Sequence, residues 1–249
     1  MKYRAILFDL GQTLLEYPGA SHEFWRVFLE RRLVDMHAEF CQAAPAVEGD
    51  VSAFVRQTID LMWPERKINL SGRSWHFRER LKAVLSHYGC EHCSPNDLER
   101  LTDSFYEPIG AGTQRYPETL EVLQAIRAAG LPMAIISNAP WDVPGRLLKA
   151  DMERWEVIGF FDAFVTSGEA PWRKPNPEFM WAAAQELGVE PEACLVVGDS
   201  LKADIVGAKA AGMKCVWVNR DGMAKSDEDP QPDEIVADLT DLLRVISLY

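Results

Sequence analysis

The 249-residue sequence is short of several things, and each shortage removes a class of function. No apolar run approaches the roughly 18 residues that a membrane-spanning helix needs, so no membrane partner is expected. Basic residues are outnumbered, 26 Lys and Arg against 38 Asp and Glu, which leaves a formal charge of -12. A polyanionic backbone is held by clustered Lys and Arg, so nucleic acid is not an expected partner either. A small anionic substrate stays open, because a few local donors outweigh the global field at short range. Cysteines are few and odd in number: Cys41, Cys90, Cys93, Cys194 and Cys215. They do not make a disulfide framework, and the first strand-like run begins almost at Met1, without room for a secretory leader. The expectation is a cytoplasmic protein with reduced thiols. Cys90 and Cys93 form a CxxC beside His87 and His92, but no second ligand pair follows, so a helix end and turn is expected rather than zinc. Internal repeats and low-complexity tracts are absent, and Lys225–Asp233 reads as an exposed polar loop.

What is present is a rhythm. Apolar runs recur at Ala5–Phe8, Met133–Ile136, Ala163–Val165, Leu195–Val197, Val216–Val218 and Ile235–Ala237. They are continuous rather than alternating, as expected of strands buried on both faces of a parallel sheet. Amphipathic segments such as Pro117–Ala129, Pro177–Leu187 and Asp204–Ala211 lie between them, followed by Gly130, Gly188 and Gly212 as helix stops. The alternation predicts an α/β fold, a doubly wound parallel sheet. From about Pro18 to Gly112 the rhythm fails, and four helices are expected instead, over His22–Phe40, Val51–Leu61, Trp75–Tyr88 and Pro95–Phe105. Turn signals separate them at Glu48–Asp50, Asn69–Gly72 and Gly89–Asn96. The division expected is a core of residues 1–17 and 113–249 with an all-helical cap of residues 18–112.

Four strand ends carry residues with chemistry. Asp9 follows the first strand, with Gly11 and Thr13 close behind; a carboxylate there faces the crevice outside the carboxyl ends of the strands. Taken alone it is as well read as a turn residue. Ser137 and Asn138 end the next run and offer a hydroxyl and an amide. Lys174, in RKPNPEF, stands before a helix that starts at Pro177 and suits a cation facing a nucleophile and a transferred group. The run LVVGDSLKAD ends in Asp199, with Asp204 five residues on; carboxylates with nearby hydroxyl and carbonyl oxygens suit a hard divalent ion, although Asp204 also reads as a helix cap.

The order FDLGQT, SN, RKPNP, GDSLKAD resembles the four motifs of the haloacid dehalogenase superfamily, across all of the chain outside the helical insert. That insert sits where the family places its type-1 cap. The resemblance implies a Rossmann-like core, Asp9 as nucleophile, Ser137 and Lys174 on a phosphoryl group, and Mg²⁺ on Asp9, the Gly11 carbonyl and Asp199, with Asp204 as a further candidate ligand. Thr13 and Asn138 complete the candidate substrate-binding set and brace the loops. Phosphatases of the family usually carry a second Asp where this chain has Gly11, as general acid and then base, a service worth about 10²–10⁴-fold.

Three readings follow. A phosphatase comes first, since a branch of the family that includes glucose-1-phosphate phosphatases also has Gly there; Asp142 and Glu16 are in-sequence candidates for the missing proton transfer. A dehalogenase or phosphonatase comes second. Dehalogenases work without metal and usually carry an aromatic residue at this position, whereas phosphonatases need a cap lysine, for which Lys67 and Lys82 are available. A noncatalytic binding protein comes third. The cap bunches Arg66, Lys67, Arg73, Arg78, Arg80 and Lys82, read as a solvated helix face ahead of a substrate attractor. Its aromatics, Phe24, Trp25, Phe28, Phe54, Trp63, Trp75 and Phe77, are expected mostly in its own core with one or two facing the substrate, and Trp141 and Trp172 are the better candidates for pocket-lining rings. Monomer and homodimer are equally open.

Overall fold

The computed structural model describes residues 3–19, 22–63 and 72–246. The chain opens with β1 (Ala5–Phe8) and a short β2 (Leu15–Glu16), then runs through five helices: α1 (His22–Asp35), α2 (His37–Ala43), α3 (Val51–Met62), α4 (Phe77–His87) and α5 (Pro95–Ala111). It returns through β3 (Gln114–Arg115), α6 (Thr119–Ala128), β4 (Met133–Ser137), α7 (Gly145–Arg154) and β5 (Ala163–Thr166). It finishes with α8 (Pro177–Leu187), β6 (Cys194–Gly198), α9 (Val206–Ala210), β7 (Lys214–Val218), β8 (Glu234–Val236) and α10 (Leu242–Val245). No helix among the described residues is long and apolar enough to cross a membrane.

Six strands form one sheet in the order β5-β4-β1-β6-β7-β8, every neighbouring pair parallel. All six expected apolar runs are strands of this sheet. Alternate residues of β1 serve opposite faces: Ile6 and Phe8 join the cluster under α6 and α7, while Ala5 and Leu7 join the one under α8 and α9. Burial on both faces is why these runs are continuously apolar. Winding reverses at β1, between β4 and β6, so the crevice at the carboxyl ends of those three strands is where a ligand site is expected.

The helices follow local signals closely where caps are written into the sequence. Asn176 accepts the Glu178 N–H at 2.9 Å to start α8, and Gly188 ends it in the left-handed conformation. The long helix expected over 22–40 is broken at Met36, which is buried between α1 and α2. The one expected from Trp75 starts only at Phe77, because His76 takes a φ of 45°. Pro108 does not stop α5 at Phe105, and the helix runs on to Ala111. Before α9 the expected helix gains a π-helical turn, Leu201–Ile205. Of the expected turns, residues 69–71 lie outside the described residues.

One pairing was not expected. Leu15 pairs with Arg115 and Glu16 with Gln114, so β2 and β3 form a two-stranded antiparallel ribbon where the chain leaves for α1–α5 and returns.

Candidate active site

Asp9 is carried just past the end of β1, where its backbone N–H donates to the Val197 carbonyl of β6 at 2.9 Å. Lys174 reaches it from the loop before α8. Its ammonium donates to Asp9 Oδ1 and lies 2.6 Å from Asp204 Oδ1, and Lys174 is 3% exposed. Burial alone would lower the lysine's pKa, but the two carboxylates outweigh it and hold Lys174 above its ordinary value and charged.

Asp199 completes an acidic group. One oxygen each from Asp9, Asp199 and Asp204 lie within 4.8 Å of one another. Burial pushes the carboxyls of Asp199 and Asp204 above the ordinary range; the negative charge of Asp9 adds to both, and Lys174 opposes it. With all three carboxyls ionised against one ammonium, two negative charges would stand in excess in a largely buried place. That is a poor arrangement on its own and a good one around a divalent cation with a taste for hard oxygen. Gly11 lines the same cavity, so its carbonyl belongs to the same neighbourhood.

The other expected residues fall around this centre. Ser137, at the end of β4, is buried and lines the cavity. Asn138 braces: its Oδ1 accepts the Lys174 N–H at 2.9 Å and its Nδ2 donates to the Lys174 carbonyl at 3.0 Å. Thr13 Oγ1 lies 3.4 Å from Asp9 Oδ2, and the hydroxyl is wholly buried. Asp204 does not cap a helix; Ser200 does, accepting the Ala203 N–H at 3.2 Å, while Asp204 Oδ2 takes the Ser200 N–H at 2.9 Å.

Neither candidate for the missing proton transfer is placed to provide it. Asp142 is 1% exposed, and its oxygens take the Trp75 N–H at 2.7 Å, the Ser167 hydroxyl and the Arg173 guanidinium at 3.2 Å. Glu16 is exposed on β2. Tyr17 stands beside Gly11, with a ring carbon 3.4 Å from where a Cβ would stand. Lys82 points elsewhere too, pairing with Glu79 at 2.8 Å and half exposed, whereas Lys67 and Arg66 lie outside the described residues. Of the remaining cations in this stretch, Arg78 pairs with Glu99, Arg80 lies 4.4 Å over the Trp75 ring, and Arg73 meets Trp172 in an isolated backbone bridge.

Several supporting residues gave no signal in the sequence. Trp217, buried on β7, donates its indole N–H to the Asp199 carbonyl at 2.7 Å. Arg220 holds the Thr13 carbonyl at 3.0 Å, pairs with Glu118 at 2.6 Å and stacks 3.7 Å from the Tyr116 ring. Gln12, Trp141 and Asp142 hold positive φ of 58°, 58° and 51° around the cavity, a costly backbone that tends to concentrate at working sites. Of the two rings expected to line the pocket, Trp141 does so, but Trp172 packs on the core under α8. Trp25, Trp63 and Trp75, expected mainly as cap core, line it as well.

A doubly wound parallel sheet with a strand-end carboxylate, a buried lysine and an acidic cluster over its switch point describes a Rossmann-like α/β core with a helical insert. The family profile for haloacid dehalogenase-like hydrolases matches residues 3–212, and the chain belongs to that family. It is similar to a phosphoglycolate phosphatase of Shigella boydii serotype 4 (strain Sb227), at 30% identity, covering 98% of this chain and 93% of the relative. It is similar also to a phosphoserine phosphatase of Thermus thermophilus, at 28% identity over 96% of this chain and 90% of that one. Among solved structures, a 2-haloacid dehalogenase from Pseudomonas syringae pv. Tomato DC3000 superposes with a TM-score of 0.67 at 25% identity, covering 98% of each chain.

Proposed function

We propose that this hydrolase is a Mg²⁺-dependent phosphatase acting on a small phosphomonoester, with residues 1–17 and 113–249 as catalytic core and 18–112 as a cap that reads the leaving group. The observation that carries this reading is the buried Lys174 paired with both Asp9 and Asp204, beside Asp199, at one mouth of the sheet. Asp9 attacks phosphorus; its oxygen forms the new P–O bond as the bond to the leaving oxygen breaks, giving an aspartyl-phosphate and splitting one hard step into two. Lys174 holds Asp9 oriented and offsets charge on the transferred group, and Ser137 and Lys174 bind its oxygens. Water then cleaves the aspartyl-phosphate, restoring Asp9 and releasing phosphate. Asp9, Asp199 and Asp204, with the Gly11 carbonyl, would hold Mg²⁺, whose chemistry there is neutralisation of the charge that builds on the phosphoryl oxygens. With Gly11 lacking a side chain, the leaving oxygen takes its proton from water or departs without one when it is weakly basic.

The likeness to a 2-haloacid dehalogenase supplies a second reading. Halide departure needs neither proton nor metal, so it accounts for Gly11 but leaves the negative excess at Asp199 and Asp204 without a purpose. A panel of small phosphomonoesters and 2-haloacids, assayed with Mg²⁺ and with EDTA, separates the two. Metal-dependent phosphate release, lost in Asp9→Asn, is expected; metal-independent halide release would instead establish the second reading, and no turnover at all a noncatalytic protein. The five unbonded thiols support a cytoplasmic location, and both monomer and homodimer are compatible with the site.

A further inference from the structure

Away from the acidic end, the cavity of about 400 Å³ has an aromatic wall. Trp25 on α1, Trp63 just past α3, Trp75 ahead of α4 and Trp141 after β4 line it with Tyr17. The cap does keep other rings in its core, with Phe54 and Phe77 only 2% and 1% exposed. The four tryptophans pack in or against that core and also line the cavity, and each is held by a second group. Trp63 and Trp141 meet edge to face at 4.9 Å, and Trp141 meets Phe105 at 5.9 Å. Trp25 packs edge to face on Phe24 and Phe28. Trp75 lies under Arg80, and its backbone N–H is fixed by Asp142. Rings already immobilised lose little freedom when a ligand arrives, which favours stacking on them.

Charge points the same way. Among the described lining residues the cations are Arg173 and Lys174. Lys174 is paired with Asp9 and Asp204, and Arg173 with Asp142 at 3.2 Å. Neither is left to balance a second anionic group on the substrate. A carboxylate on the leaving group would meet no unpaired cation among the described lining residues of this wall, at a substantial desolvation cost.

We propose that the four tryptophans form a stacking chamber for the leaving group, and that preferred substrates are phosphomonoesters bearing a planar aromatic ring rather than short carboxylated phosphates. This rests on the phosphatase reading. The volume is of the order that small-ligand pockets have, enough for a phosphoryl group and a ring together.

The test compares kcat/KM for 2-phenylethyl phosphate, ethyl phosphate and phosphoglycolate. The first two release primary alkoxides of similar basicity, so their ratio reads the ring and not the ease of departure. The phenylethyl ester is expected to lead each of the others by about tenfold or more. Trp63→Leu and Trp75→Leu should each lower its lead about three- to tenfold, with Trp63→Phe keeping most of it. A lead near one, or a preference for phosphoglycolate, overturns the chamber and leaves the phosphatase reading intact. Phosphate release from none of the three overturns that reading, and binding then decides the chamber alone. Quenching of tryptophan fluorescence should show 2-phenylethylphosphonate binding about tenfold tighter than ethylphosphonate, with the difference reduced in Trp63→Leu. Equal affinity for the two phosphonates overturns the proposal.

Discussion

At the scale of single residues, two glycines govern the site in opposite ways. Gly198, the last residue of β6, is required by close approach: a Cβ there would stand 2.3 Å from the Asp204 carboxyl carbon. Gly198→Ala must push Asp204 away from Lys174 and from the Ser200 N–H. We expect a folded protein less stable by about 1–3 kcal/mol, as for other overpacked sites. Thermal melts should also show a rise in melting temperature with Mg²⁺ in the parent that is lost in the variant; an undiminished rise would remove Asp204 from the proposed metal site. Gly11 is the contrary case. Its backbone is not left-handed, and a Cβ would make only an ordinary 3.4 Å contact with Tyr17. Gly11→Asp should therefore fold, and if proton transfer limits turnover it should speed hydrolysis of ethyl phosphate about tenfold or more, moving toward the ~10²–10⁴ that general acid–base help supplies. An aryl ester with a weakly basic leaving group should gain little. A rate on ethyl phosphate that does not rise would mean the site has adapted to the glycine.

Among the secondary-structure elements, Asp233 ties the end of the sheet together. It sits just before β8, takes the Cys215 N–H of β7 at 3.0 Å, and pairs with Lys209 at 2.6 Å and Lys214 at 2.7 Å. Burial would raise its pKa, but these donors outweigh burial and hold the carboxyl well below the ordinary range. A carboxyl depressed on folding stabilises above the unfolded value of ~3.9, and that stability fades as pH falls through the folded value. Asp233→Asn should thus cost about 1 kcal/mol at pH 7, a modest figure because the pairs are partly exposed. Denaturant melts repeated between about pH 5 and pH 2 should find the gap narrowing as the unfolded carboxyl takes up its proton; a gap that stays constant over that range would mean the carboxylate's charge is not its source.

What the sequence disclosed at this scale follows from the range of the forces involved. The six sheet strands were legible because burial on both faces demands an unbroken apolar run, and α8 because its two caps are local. Asp9, Ser137, Lys174, Asp199 and Asp204 were legible because strand ends in this topology converge on one crevice. The β2–β3 ribbon was not, since Leu15 and Arg115 are distant in the chain and two residues carry no period. For the same reason the grip of Trp217 on Asp199 and of Asp142 on Trp75 left no pattern to read. The cap tryptophans were legible in part: Trp63 belongs to the core and Trp25 and Trp75 pack against it, but periodicity does not say that the same face also meets a cavity.

For the molecule as a whole, a charge of -12 surrounds a site proposed to take an anion. Long-range repulsion should slow capture at low salt, and added salt should screen it. We expect kcat/KM for a dianionic phosphomonoester at fixed Mg²⁺ to rise about twofold or more between roughly 10 and 150 mM NaCl. A fall instead would mean that the local field of Lys174 dominates capture.

The same large-scale view gives the ribbon of β2 and β3 a further significance. Because Leu15 and Arg115 are ladder partners, the outgoing and returning chains are clamped side by side before any helix of the insert is built. The entropy of closing so large an excursion grows only slowly with its length, so once the ends are clamped, lengthening, shortening or exchanging what lies between them changes that cost little. The sheet would meet a different insert at the same two neighbouring points, which makes this ribbon the natural splice site for giving Asp9 new surroundings while leaving β1 in register.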